Sequence, residues 1–353
     1  MKVLILSRYS NLGGSSRVRI YQYIPYLINE GFDIKIAPLF DDNYLIYYYK
    51  YGIRKYKDIL YYYIKRLFNL VKIKKYDLLW IEKELLPFFP SWIENIIHLL
   101  KIPYIVDYDD AIFHNYDLNK SFFVRNLFGK KIDKIMNYAS LVIVGNDYLA
   151  ERAKNSGAKL VEYIPSAIDI EQYTIKKYKK DKGIFKIGWI GTPPTSESLY
   201  LIKDVFKKII SLFEYRLILV GSGNVNLPEI PIEVREWTKE TEVGDINDFD
   251  VGIMPLYDIP FEKGKCGYKL IQYMACEIPV IGSPVGINNN LIIDRWNGFK
   301  PATNDEWINA FYELYLDHKL RFKMGQAGRK LVEQNFCIQV TASKLIKAMK
   351  SVL

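Results

Sequence analysis

Cysteine is scarce in this sequence, with Cys266, Cys276 and Cys337 the three examples among 353 residues. Three cysteines build neither a disulfide framework nor a paired-cysteine zinc site, which points to a reducing compartment. Uncharged apolar runs of about 18 residues or more are missing, which excludes a bilayer-spanning helix. The longest apolar candidate, Leu85 to Val106, is broken by prolines and by Glu94, His98 and Lys101. The opening MKVLILSRYS is too short for a secretion signal and reads as a buried first strand. Short-period repeats and low-complexity tracts are missing beyond clusters of tyrosine. No serine elbow or Cys–His spacing argues for a nucleophile.

What is present is ordinary globular composition, half hydrophobic and a quarter charged, which rules out a wholly disordered chain. The length favours two domains, each with its own core. Lys and Arg number 49 against 40 Asp and Glu, a formal charge of +9. The excess is concentrated between Tyr44 and Tyr76, where nine Lys/Arg and ten tyrosines face one acid, Asp58. Such a segment suits anionic lipid headgroups; it also suits the solvated face of a helix or an RNA stacking surface. Nothing else resembles a nucleic-acid module.

Apolar runs at Val3–Ser7, Phe32–Ala37, Leu78–Ile81, Tyr104–Val106 and Leu141–Val144 predict strands, with a helix over Arg17–Asn29 between the first two. After a lysine-rich stretch ending at Asp181–Gly183 the pattern restarts. Strands are expected at Phe185–Ile190, Arg216–Val220, Val251–Pro255 and Val280–Gly282, with helices over Leu199–Leu212 and about Tyr268–Cys276. The alternation predicts an α/β protein of two doubly wound, Rossmann-like domains, residues 1–167 and 185–339, joined by a linker at 168–184 and facing a central cleft. Ligands in such sheets sit at the carboxyl ends of the strands.

Several segments fall at those ends. Lys263-Gly264-Lys265-Cys266-Gly267-Tyr268-Lys269 leads directly into a helix, so glycine, lysines and free N–H groups coincide where a diphosphate would fit; a solvated surface turn is the plainer reading. Gly191-Thr192-Pro193-Pro194-Thr195 is either a second phosphate loop or a turn capped by Thr195 or Ser196. Gly221, with Ser222 and Gly223, ends the next strand. In the first half, Gly13-Gly14-Ser15-Ser16-Arg17-Val18-Arg19 offers an arginine fork for phosphate or a capped helix with exposed cations. Arg17 and Arg19 cannot both enter one cleft. Asp107-Tyr108-Asp109-Asp110-Ala111-Ile112-Phe113-His114 could bind hydroxyls, cap a helix or hold a metal. His114 neighbours the acids and is either structural or functional, while His98 and His318 look structural.

With these residues in place, the sequence resembles glycosyltransferase family 4, the group 1 glycosyltransferases of the GT-B fold. The most specific stretch runs from Gly264 to Ile281 and ends in Met274-Ala275-Cys276-Glu277-Ile278-Pro279-Val280. Ser15-Ser16-Arg17, Asp109-Asp110-Ala111, Gly188-Trp189-Ile190-Gly191 and Val251–Leu256 support it. Many members carry two glutamates with seven residues between them. Here Gly264 and Gln272 stand at those positions, in a branch with a GKC-x-x-K pattern.

The resemblance implies a hexosyltransferase using a UDP- or GDP-linked sugar held by the second domain, with Gly14, Arg17, Gly191, Thr192, Gly221, Lys263, Gly267, Tyr268 and Gln272 as the donor-binding residues. It implies an acceptor on the first domain and transfer with retention, without metal or cofactor. Lys265, Lys269 and amides near Gly267 and Gly191 would stabilise the leaving diphosphate, Gln272 would bind a ribose hydroxyl, and Asp109, Asp110 and His114 would orient hydroxyls. A last helix, about 340–353, is expected on the first domain. The basic segment suggests docking on the cytoplasmic leaflet, to a glycan or lipid-linked acceptor in surface-polysaccharide synthesis. A nucleotide-sugar epimerase and a nonenzymatic partner subunit are the alternatives; no nucleic acid is expected.

Overall fold

The computed structural model describes residues 1–53, 55–175 and 183–352. The chain divides into two compact units, one of Met1–Ala167 with Gly264–Cys266 and Thr341–Leu353, the other of Ile168–Lys263 with Gly267–Val340.

Unit one is built on β1 (Lys2–Leu6), β2 (Asp33–Ile36), β3 (Leu78–Glu82), β4 (Tyr104–Tyr108), β5 (Leu141–Val144) and β6 (Val161–Tyr163). All pair in parallel, in the order β2-β1-β3-β4-β5-β6. The central strands β3, β4 and β5 are buried at every position, as continuous apolar runs must be when helices cover both faces of a sheet. The strand order reverses between β1 and β3, and the chain leaves the carboxyl ends there at Ser7 and Lys83.

Unit two repeats the plan with β7 (Phe185–Ile190), β8 (Tyr215–Val220), β9 (Ile232–Arg235), β10 (Val251–Met254), β11 (Val280–Gly282) and β12 (Gly298–Phe299). The parallel order is β12-β11-β10-β7-β8-β9, so the reversal lies between β10 and β7.

Two expected helices are broken. Arg17–Asn29 is split into helices Gly14–Arg19 and Ile24–Asn29 around a 3₁₀ turn, Tyr21–Tyr23. Pro25, lacking an N–H, sits at the start of the second helix, where that loss is tolerated, and the register restarts there. Leu199–Leu212 begins instead within a 3₁₀ stretch, Pro193–Ile202, and becomes α-helical only over Lys203–Ile209. The hydroxyls of Ser196 and Ser198 donate to the carbonyls of Pro193 and Thr195, three residues back, and compete with the α ladder.

Of the expected linker, residues 176–182 lie outside the described residues. Ile168, at its start, is built into unit two by paired backbone bonds with Phe336 and Ile338. The last helix, Ile338–Lys350, belongs to unit one from Thr341 onward, where the Tyr23 hydroxyl lies 2.9 Å from Thr341 Oγ1 and Lys350 pairs with Glu30 at 2.8 Å.

The tyrosine-rich segment forms helices Asp42–Tyr51 and Tyr56–Leu70. Arg54 lies outside the described residues. Arg66 corrects the picture of a wholly surface-facing cation set, because it is only 1% exposed and donates from Nη2 to the Ser7 carbonyl at 2.5 Å. Tyr62 is buried too, its hydroxyl donating to Asp41 at 2.6 Å. The opposite face is open and apolar, with Leu60 62%, Phe68 72% and Val71 76% exposed. Lys57, Lys65, Lys72, Lys74 and Lys75 are exposed around it. No helix among the described residues is long and apolar enough to cross a membrane.

Candidate active site

In unit two, β7 ends at Ile190 and the chain turns at Gly191. A Cβ at Gly191 would stand 2.6 Å from Lys269 Nζ and 2.8 Å from Thr195 Oγ1, so the glycine leaves room for that ammonium to lie against the backbone. Lys269 Nζ lies 3.9 Å from the Trp189 ring centre and 3.3 Å from Thr195 Oγ1. The lysine comes from the first turn of helix Tyr268–Ala275, whose N-cap, Gly267, offers no side-chain acceptor to the first amides. Lysine charge and helix N–H groups therefore meet beside the strand-order reversal, where an anion is best stabilised.

The Gly191 loop itself supplies less than expected. The Gly191 N–H donates to the Val220 carbonyl at 3.0 Å, and Pro193 and Pro194 have no N–H. Thr192 is exposed, and its carbonyl accepts the Thr195 N–H and hydroxyl, both at 2.9 Å. Gly221 ends β8 with its N–H on the Arg235 carbonyl, packed against the carbonyl of Gly191. Lys263 forms a surface pair with Asp258 at 3.0 Å, and Tyr268 is half-buried.

Gln272 departs from its expected role at a ribose hydroxyl. It is 3% exposed, and its amide nitrogen donates to the Tyr173 hydroxyl at 3.0 Å. Tyr173 in turn donates to Glu242 at 2.7 Å, and the second Glu242 oxygen accepts the Trp237 indole N–H at 2.7 Å. The amide stands in a buried chain of hydrogen bonds with Tyr173, Glu242 and Trp237.

Gly264, Lys265 and Cys266 pack with unit one. A Cβ at Gly264 would lie 2.6 Å from the backbone nitrogen of Ala111, which explains why no glutamate stands there. Asn146 donates to the Lys265 carbonyl at 2.9 Å, and the Cys266 thiol donates to the Asp109 carbonyl at 3.1 Å. Burial pushes that thiol well above its ordinary pKa, so it acts as packing and a weak donor rather than a thiolate.

Beyond β4, Asp109 and Asp110 share one cation, Lys83, at 2.8 Å and 3.2 Å. Asp109 also accepts from Ser15 Oγ. Burial would raise both carboxyls; Lys83 and Ser15 hold Asp109 below its ordinary value, whereas burial prevails at Asp110, which is raised. The place a metal would take between the two acids is filled by this ammonium, and no three His, Cys, Asp or Glu gather as ligands among the described residues. His114 is held at both ring nitrogens, Nδ1 to Asp117 and Nε2 to the Tyr148 hydroxyl, each at 2.8 Å.

Gly14 is exposed at the start of its helix and Arg17 is half-buried. Arg19 is buried in a bidentate pair with Asp107, at 2.8 and 3.2 Å, and donates to the Ile164 carbonyl, so of the two arginines it is the structural one. Below these, Glu84 accepts from Arg8 at 2.9 Å, Lys131 at 2.5 Å and the Tyr116 hydroxyl. Lys83, Glu84 and Glu242 were not singled out from the sequence. The charged run Glu82-Lys83-Glu84 directly after the apolar strand was the available signal.

Residues 182–317 match the family model described as glycosyl transferases group 1. The chain has no match among curated proteins. Among solved structures it resembles sucrose-phosphate synthase from Thermosynechococcus elongatus, at a TM-score of 0.73 and 14% identity, over 100% of this chain and 99% of that one. It also resembles HepE from Anabaena in complex with UDP-glucose (TM-score 0.71, 15% identity, 99% of this chain and 100% of that one). A third is the lipopolysaccharide outer core galactosyltransferase WaaB (0.64, 13%, 100% of both chains). With its two parallel six-stranded units, the chain has the α/β fold of the GT-B class.

Proposed function

We propose that this chain is a retaining, metal-independent glycosyltransferase that moves a hexose from a UDP- or GDP-linked donor bound by unit two to a glycan or lipid-linked acceptor bound by unit one. The observation that carries the reading is the Lys269 ammonium beside Gly191 at the strand-order reversal, next to the uncapped start of helix Tyr268–Ala275. HepE binding UDP-glucose on the same fold supports a nucleotide-sugar donor.

The chemistry follows from where charge develops. The bond between the anomeric carbon and the diphosphate oxygen lengthens first, leaving oxocarbenium character on the sugar and negative charge on the diphosphate. Lys269 and the amides after Gly267 stabilise that charge as it forms. The acceptor hydroxyl forms the new bond on the face the diphosphate leaves, and its proton passes to the departing phosphate oxygen. No protein base is consumed. Asp110 accepts hydrogen bonds from hydroxyls, Asp109 fixes the loop beside it, and His114 braces that loop through Asp117 and Tyr148.

The apolar, lysine-ringed face of helix Tyr56–Leu70 fits the rest of the reading. Side chains such as Phe68 and Val71 enter the acyl boundary while the lysines meet anionic headgroups on the inner leaflet, which brings a lipid-linked acceptor of surface-polysaccharide synthesis within reach. A thermal-shift panel of nucleotide sugars, followed by product analysis with the stabilising donor, tests the assignment. Stabilisation by one donor class and an α-linked product from an α-linked donor are expected. An epimerised donor, or no donor stabilising the protein, overturns it.

A further inference from the structure

Lys83 follows β3 directly. Its backbone takes a left-handed φ of 65°, a conformation that lysine adopts rarely, while its N–H still donates to the Asp107 carbonyl at 3.0 Å. A glycine would relieve that conformation, yet the side chain present is a long cation. It is almost wholly buried, and it ends between two consecutive carboxylates. Strained residues held by their surroundings cluster at functional sites.

The two carboxylates are not equivalent. Asp109 is enclosed, with Lys83 on one oxygen and Ser15 on the other, and its own carbonyl takes the Cys266 thiol. Asp110 is a third exposed and shares the same ammonium at the longer distance. The other charged groups around them are Arg19 from helix Gly14–Arg19, Asp107 from β4, Glu82 from β3 and Lys265 from the 264–266 segment. Arg19 is committed to Asp107, and Glu82 accepts from the Arg8 N–H and Ser16. One ammonium thus serves two acids.

We infer that Lys83 is a positioning residue that divides Asp109 and Asp110 into different tasks, Asp109 as a fixed carboxylate that anchors the loop and Asp110 as the exposed hydrogen-bonding group presented to the hydroxyls of the acceptor. The inference rests on the transferase reading for the identity of the hydroxyls, but not for the division of the acids. Environments that push two neighbouring acids apart mark such a division of labour.

The test is a carbon-13 titration of the aspartate carboxyls in the free protein, which needs neither donor nor acceptor. Asp109 is expected to titrate below Asp110 in the wild type. In Lys83→Met the Asp109 midpoint is expected to rise by about one pH unit or more, the effect of removing an opposite charge at this distance. Lys83→Arg restores the order, which a merely structural role does not require. If Lys83→Met fails to fold, Asp110→Asn carries the test, because the ammonium then serves Asp109 alone and its midpoint falls. An Asp109 midpoint that stays at its wild-type value in these variants overturns the inference. Absence of any transfer activity, with the titration as expected, sinks the transferase reading and leaves the role of Lys83 standing.

Discussion

The Lys269 ammonium sits 3.9 Å from the centre of the Trp189 ring, on the last turn of chain before β7 gives way to Gly191. A strand residue and a helix residue 80 positions apart in sequence thereby fix one positive charge in place. The buried ring presents its negative face to the ammonium and holds it in place. Charge that is pre-oriented stabilises a leaving anion at little reorganisation cost.

Lys269→Ala is accordingly expected to lower kcat by about 100-fold, the usual effect of removing one preorganised donor from a developing anion. Lys269→Arg recovers part of the loss. Steady-state transfer rates at saturating donor check both, and a wild-type rate in Lys269→Ala contradicts the role.

Placing glutamates at Gly264 and Gln272 harms this protein. Gly264→Glu drives a Cβ to 2.6 Å from the Ala111 backbone nitrogen, and backbone cannot move aside as a flexible side chain can. Gln272→Glu places a second carboxylate on a tyrosine hydroxyl that already donates to Glu242. Each change is expected to cost about 1–3 kcal/mol, read as a lower midpoint in urea unfolding.

Glu84 links stability to acid pH. Burial works to raise its carboxyl, but Lys131 and Arg8 hold it below its ordinary value. A depressed folded-state pKa contributes stability above the unfolded value, near 4.5, that is lost as pH falls through the folded value. Lys131→Met leaves a buried carboxylate with one cation fewer, so it is expected to cost about 3–5 kcal/mol near neutrality. Without Lys131 the folded Glu84 value rises, so the part of the acid-induced loss of stability that Glu84 contributes is expected to shrink. Unfolding curves between pH 3 and 8 compare the two proteins, and identical acid limbs contradict the pairing.

The division into two α/β units was legible because parallel strands buried on both faces read as unbroken apolar runs, such as Leu78–Ile81 and Phe185–Ile190, each closed by residues suited to a turn. β6, β9 and β12 were not legible, being two to four residues long and, in β6 and β9, partly polar. The inward turn of Arg66 was written in its spacing from Ile59, Tyr62, Leu70 and Ile73, but a cation there is indistinguishable in sequence from a solvated one. Lys83 was hidden for the same reason, since its role depends on a φ and on acids 26 and 27 residues away.

Vesicle binding separates those two kinds of cation. Neutralising Lys57, Lys65, Lys72, Lys74 and Lys75 together is expected to weaken binding to anionic vesicles by more than about 10-fold, at roughly 1 kcal/mol per surface lysine. Arg66→Met, which alters a buried group, leaves vesicle binding unchanged. Equal recovery on neutral and anionic vesicles, in cosedimentation, contradicts the docking face.

The most direct measurement is calorimetric titration of UDP and GDP into the wild type and Lys269→Ala, in buffer containing EDTA. Binding of one nucleotide to the wild type, weakened about 10-fold or more by the substitution, is the predicted result. Failure of both nucleotides to bind, or equal affinity in the two proteins, contradicts a diphosphate held by Lys269 and the start of its helix.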